Sequence, residues 1–190
     1  QYPAPGDPGF AKLLQKRLAD FGARIDVDGW GLDHGCWALM KFLFPRADVP
    51  VLQLSMDLRR TPQQHYEIGQ TLAKLRDEDV LLVGSGNIVH NLRLYNPADS
   101  GPAPWARAFD DAVVERMRHN DDGALLNYPA LGPEAALAVP TPDHFLPLLY
   151  ILGARRDGET PRVFNRDIHS SLSMTSVVLG DIKVPGLLDA

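Results

Sequence analysis

Val80-Leu81-Leu82-Val83-Gly84-Ser85-Gly86-Asn87-Ile88-Val89-His90-Asn91-Leu92-Arg93 is the stretch that decides how this 190-residue chain reads. Val80 to Val83 is a short apolar run with β-branched ends, suited to a buried parallel strand. In open α/β sheets ligands sit beyond the carboxyl ends of such strands, which places His90, just past a glycine-punctuated turn, at a site. Gly84 and Gly86 permit backbone angles that side chains forbid and would let a substrate approach closely. Asn87 can cap the following turn or offer its amide to a ligand. On residue types alone, a structural histidine after a common Gly-Ser-Gly turn fits equally well.

Outward from that stretch the chain alternates between helix and strand patterns. Phe10, Leu13, Leu14, Leu18 and Phe21 form a helical stripe over Pro8 to Phe21, ended by Gly22. Arg24 to Val27 reads as a short strand, His34 to Phe44 as a helix stopping before Pro45, and Val49 to Met56 as a strand. Thr61-Pro62 opens a helix running to about Arg76, which feeds the Val80 strand. Pro104 to Arg118 and Pro142 to Gly153 read as helices, and Ser171 to Leu179 as a closing strand. This order predicts an α/β fold, a mainly parallel central sheet with helices on both faces, in one domain spanning residues 1–190. Asn96 to Pro102 and Gly158 to Pro161 are Pro/Gly-marked loops within it.

Composition narrows the function classes. With 45% hydrophobic and 23% charged residues, the chain can bury a sizeable core. A formal charge of −5, with no basic stripe interleaved with aromatics, argues against a nucleic-acid partner. No apolar run approaches the roughly 20 residues that cross a bilayer, and no signal core follows the amino terminus, so the chain reads as soluble, cytoplasmic and without a membrane partner. Cys36, the single cysteine, can form no internal disulfide and sits between Gly35 and Trp37 as a small packed residue.

The six histidines, His34, His65, His90, His119, His144 and His169, form no close HxH or HxxxH pair, so any metal site must be assembled in three dimensions. His144 follows Thr141-Pro142-Asp143, where Thr141 can cap and Pro142 can start a helix; on composition His144 is an exposed first-turn residue. Asp33 can cap the helix that His34 opens, leaving the imidazole over a helix amino terminus, where the dipole disfavours the charged ring. His119 is placed to meet the carboxyl-terminal carbonyls of its helix.

GSGNIVHNLR at Gly84 to Arg93, GLDHGCW at Gly31 to Trp37, TPDHFLPLLYILG at Thr141 to Gly153 and SLSMTS at Ser171 to Ser176 together resemble the class III extradiol ring-cleaving dioxygenases, in their DOPA-dioxygenase-like branch. The likeness runs in order from Tyr2 to Gly180 and implies a LigB-like fold. It also implies that His144 ligates the catalytic metal and that His90 lies beside it as acid/base or additional ligand. His34 would contact substrate or oxygen and could join His90 in deprotonating the catechol, Asn87 would bind substrate, and His65 would serve packing or a subunit contact. His169 departs from the family pattern, and neither it nor His119 receives a catalytic part. The implied reaction opens a catechol ring beside its hydroxyl pair with O2 and non-haem Fe(2+), giving a muconic semialdehyde. Zn(2+) suits a nitrogen-rich site too, but lacks the redox chemistry to handle O2. Many relatives associate, so a homo-oligomer is open.

Family members carry two further metal-binding histidines upstream of a YPAPG segment like the one with which this chain begins. The resemblance therefore covers the C-terminal two-thirds of the family domain, lacking its N-terminal portion. Three explanations are open: the sequence is part of a longer chain, another chain supplies the rest, or the protein is an inactive scaffold with an incomplete metal site. A hydrolase using Ser85 as nucleophile and His90 as base is a weaker alternative, since no GxSxG elbow is present. Arg93, Tyr95 and Trp105 could contact a substrate carboxylate or ring, or simply pack.

Overall fold

The computed structural model describes residues 2–26 and 29–181. They fall into two compact units, residues 1–57 and 58–190, each described by itself.

In the first unit, α1 (Pro8–Arg17) starts at Asp7, whose carboxylate accepts the Phe10 N–H, and α2 (His34–Leu43) starts at Asp33, which accepts the Cys36 N–H at 2.8 Å. These caps satisfy amide groups that a helix's first turn leaves without partners. Gln53 braces Asp33 from the other side, accepting its backbone N–H and donating to its carboxylate. Leu18 and Met40 are the buried apolar residues described here.

The second unit holds the main core. Its first helix, α3 (Pro62–Leu72), carries a full capping box between Thr61 and Gln64 and has Pro62 at its first position, where the missing N–H costs nothing. A 3-10 turn, Ala73–Asp77, extends it. Helix α4 (Pro104–Arg118) buries Ala106, Phe109, Val113, Val114 and Met117, a stripe at helical spacing. Three short helical pieces follow: α5 (Asp122–Leu126), a 3-10 turn at Tyr128–Leu131, and α6 (Ala135–Ala138). Another 3-10 turn, Pro142–His144, leads into α7 (Leu146–Gly153). Phe145, between them, packs its ring 6.3 Å from Phe109 and 4.5 Å from Tyr128, tying α7 to the core.

Helices α3 and α7 cross at glycines. A Cβ on Gly69 would lie 2.2 Å from the Tyr150 carbonyl oxygen, and one on Gly153 would lie 2.2 Å from that of Tyr66. The two backbones thus touch at a distance no side chain allows. Beside the crossing, fully buried His65 places Nδ1 2.8 Å from the Tyr150 hydroxyl, the packing role expected for it.

The expected mainly parallel sheet is not what the described residues form. The named strands are β1 (Arg162–Phe164) with β4 (Ser176–Val178), and β2 (Ile168–His169) with β3 (Leu172–Ser173), both pairs antiparallel. The Ser171 to Leu179 strand is therefore two short strands in different pairs. Val49 to Met56 and Val80 to Val83 carry no ladder, nor do Arg24 to Asp26, while Val27 lies outside the described residues. A ladder needs a neighbour in register, and apolar character alone does not supply one. Leu52, Leu54, Leu81 and Val83 accordingly stay exposed. No helix among the described residues is long and apolar enough to cross a membrane.

Gly69→Ala and Gly153→Ala should each destabilise the protein by about 1–3 kcal/mol or more, as forced overpacking does. Gly101→Ala, where a Cβ meets nothing within 4 Å, should stay within about 0.5 kcal/mol of the parent. Urea unfolding midpoints measure all three, and equal losses at the three positions would refute the close crossing.

Candidate functional site

His90 is held by its backbone. It follows buried Ile88 and Val89, donates its N–H to Ala138 O at 2.9 Å and bridges antiparallel to Leu172 of β3. On either side, Ser173 N–H donates to Val89 O at 3.0 Å and Asn91 N–H donates to Ser171 O at 3.2 Å. The Ser171 hydroxyl returns a bond to Asn91 O at 2.7 Å, and the Asn91 side chain donates to Leu137 O at 2.8 Å. GSGNIVHNLR and SLSMTS, some 80 positions apart, thus form one hydrogen-bonded unit.

His144 closes the 3-10 turn before α7. Thr141 does not cap that turn; its hydroxyl bonds the Asp143 carboxylate instead. The turn is pressed against the glycine segment, since a Cβ on Gly86 would lie 2.2 Å from His144 O. Asn87 N–H donates to the same carbonyl at 2.8 Å. The glycine admits a protein backbone, in place of the substrate expected there.

These two contacts bring the imidazoles of His90 and His144 face to face, with centroids 3.6 Å apart and planes 5° from parallel. Asp143 Oδ2 lies 2.7 Å from His144 Nδ1, close enough for an ion pair though off hydrogen-bond alignment. Burial lowers the His90 pKa from its ordinary 6.5, and the His144 charge lowers it further, while Asp143 and a backbone hydrogen bond oppose. Burial raises the pKa of Asp143, but the hydrogen bonds from Thr141 and its own backbone, with the charge of His144, outweigh this and hold it below the usual carboxylate value. His90 is thus biased toward the neutral imidazole.

Imidazole nitrogens are donors that suit a non-haem iron or zinc site. Two imidazoles alone do not complete such a donor set. Among the described residues, no group of three or more His, Cys, Asp and Glu could hold a metal ion.

The other expected site residues are placed as follows. Asn87 spends a side-chain N–H on Ser173 O at 2.6 Å. His34 is exposed at the start of α2, its ring edge-on to Trp37 at 5.0 Å, in the first unit, whereas the histidine pair is in the second. Tyr95 packs edge-on against His169 at 5.6 Å, Arg93 is exposed, and Trp105 is half-buried. His119 Nδ1 lies 2.9 Å from Glu115 O, as its helix-end position suggested. Burial, then Asp33, raises the Cys36 pKa, away from a reactive thiolate. Asp143 was passed over in the sequence, although its adjacency to His144 was the available signal.

The class that this fold and paired-histidine site define is matched by comparison with known proteins. Residues 1–179 match the LigB family, described as the catalytic LigB subunit of aromatic ring-opening dioxygenase, and the chain belongs to that family. An Escherichia coli (strain K12) protein named 4,5-DOPA dioxygenase extradiol is 43% identical over 186 residues, covering 94% of this chain and 68% of the relative. A Beta vulgaris protein of the same name is 39% identical, covering 81% of this chain, which spans only 58% of that relative's length. A crystal structure of an uncharacterized Escherichia coli K12 protein superposes with TM-score 0.85 at 41% identity, over 93% of this chain and 74% of that one. The fold is therefore LigB-like.

A histidine whose folded pKa is lowered binds fewer protons folded than unfolded. Its stabilising share is complete above the unfolded value near 6.5 and is lost as pH falls below it toward the folded value. NMR titration of the metal-free chain should give a His90 midpoint below 6.5, moving up in His144→Gln and further down in Asp143→Asn. A midpoint at or above the ordinary value would rule out this description of the pair.

Proposed function

We propose that this chain carries the acid/base and part of the metal-binding apparatus of an extradiol dioxygenase, cleaving a DOPA-like catechol with O2 to a muconic semialdehyde. The observation that carries the proposal is the stacking of His90 on His144, from two of the four family-like segments. The names of the relatives make a DOPA-like catechol the first substrate to test.

In this reading His144 is a metal ligand. Asp143 beside Nδ1 favours the proton there and leaves Nε2 as the free donor, the arrangement in which a carboxylate orients a ligating imidazole. His90, with its lowered pKa, is neutral near pH 7 and accepts the proton of a catechol hydroxyl, returning it as the ring opens. Its backbone bonds to Ala138 and β3 fix where that proton goes. The metal, Fe(2+) for turnover, would bring catechol and O2 together and couple them electronically. Among the described residues no third His, Cys, Asp or Glu joins the pair in a group that could hold it. From the family resemblance His34, at the start of α2, is assigned a hydrogen bond to substrate or oxygen, and the side-chain carbonyl of Asn87 a second contact.

The second reading, an inactive scaffold, is favoured by the absence of a three-ligand group among the described residues. One experiment separates them. Fe(2+)-dependent O2 uptake with a DOPA-like catechol is measured after anaerobic reconstitution, on this polypeptide and on a longer one carrying the coding sequence that precedes Gln1. Uptake in the longer form, lowered about 10²-fold or more by His90→Ala, as removal of an acid/base does, and lost in His144→Ala, is the expected result. No metal and no uptake in either form would leave the scaffold.

A further inference from the structure

Asp110 is fully buried on α4, and nothing in the reaction proposed above uses it. A carboxylate taken out of water is costly unless it is paired and hydrogen-bonded, and an apolar side chain would fill the same space without that cost. Its neighbours on the buried face of α4, Ala106, Phe109, Val113, Val114 and Met117, are all apolar. Asp110 is nonetheless satisfied on both oxygens. Arg166 lies 2.5 Å from Oδ2, while also reaching Asp111 at 2.6 Å, and the buried Ser173 hydroxyl donates to Oδ1 at 2.6 Å.

Ser173 is the residue through which this carboxylate meets the histidine pair. Its N–H donates to Val89 O at 3.0 Å, immediately before His90. Its carbonyl accepts from the Asn87 side chain at 2.6 Å, and Asn87 N–H in turn holds His144 O at 2.8 Å. A single chain of bonds therefore leads from Asp110 to the backbone of both rings. The Ser173 hydroxyl also accepts the Thr175 N–H at 3.2 Å, so its orientation is fixed by a donor and an acceptor together.

We propose that Asp110, braced by Arg166, is a positioning residue that sets the face-to-face geometry of His90 and His144 through Ser173 and Asn87. This rests on the histidine pair being the functional site. Asp110 touches neither ring; it fixes a rotamer of Ser173, and Ser173 fixes the two segments that present the rings.

The test is the NMR signature of the stack, read on the metal-free chain and independent of any turnover. In the parent, ring C–H resonances of His90 and His144 carry mutual ring-current displacements, identified as those lost in His90→Ala and His144→Ala. Ser173→Ala and Asp110→Asn should abolish the displacement, and Ser173→Thr, which keeps the hydroxyl, should restore it. Tyr66→Phe, which removes the 2.6 Å bond to Asp122 elsewhere in the same unit, should lower the melting temperature and leave the displacement intact. If Asp110→Asn fails to fold, the serine pair of variants carries the test. An unchanged displacement in Ser173→Ala, or an equal change in Tyr66→Phe, overturns the positioning role. Absence of any mutual displacement in the parent overturns the paired site itself, and with it this proposal.

Discussion

The close approach of Gly86 to the His144 carbonyl is the contact on which the site depends. With a Cβ at position 86 only 2.2 Å from that oxygen, no other residue lets the two backbones meet. Once they meet, Asn87 N–H takes the His144 carbonyl at 2.8 Å and the register between the two segments is fixed. His90, three residues further on and tied to Ala138 and β3, has then little freedom but to lie over the His144 ring. The same device appears where Gly69 and Gly153 let α3 and α7 touch, so the helix that follows His144 is seated by the rule that seats His144 itself.

Serines complete what the glycines begin. Between β2 and β3 the chain turns through Ser170, in the left-handed region at φ 51°, whose hydroxyl donates to Asp99 and accepts the Asn96 N–H. Ser171 and Ser173 place their hydroxyls inward on Asn91 O and Asp110. A hydroxyl is small enough to sit under a packed turn and polar enough to satisfy a buried backbone or carboxylate oxygen, where an alanine would leave that oxygen unsatisfied. Three serines in four positions, 170, 171 and 173, thus bind together loops that are distant in sequence.

Helices were legible because their signals are local. Asp33, Thr61 with Gln64, and Pro62 and Pro104 at first positions each act within a few residues of themselves, and each helix starts where they put it. Strands were not, because Val80 to Val83 and Val49 to Met56 specify only an apolar surface, and pairing depends on what lies alongside. The short α5 and α6 lack a stripe long enough to show a period. At the site, the histidines were visible as residue types, but the reason for the glycines was not: a close approach looks the same in sequence whether its partner is a ligand or a carbonyl. Asp110 was hidden for a similar cause. Beside Asp111 it looks like solvent-facing charge, and only the helix's rotation puts one of the two inside and leaves the other exposed.

Stacking two imidazoles has an electrostatic consequence that organises the proposed chemistry. Two full charges about 4 Å apart repel by about 4 kcal/mol at an effective dielectric of 20, and by less with the solvent contact that both rings keep. The neighbouring ring therefore adds to burial in lowering the His90 pKa, while Asp143 stands 2.7 Å from His144 Nδ1. In the proposed reaction that asymmetry would divide the labour between chemically identical side chains. A nitrogen that ligates a metal cannot also accept a proton, so one ring must be steered toward each task. In the proposed reaction the carboxylate beside His144 would orient that ring as a donor, while burial and the neighbouring ring, which lower the His90 pKa, would favour His90 as the proton acceptor. Two side chains of one chemical type are thus set in different surroundings by what the fold places next to each.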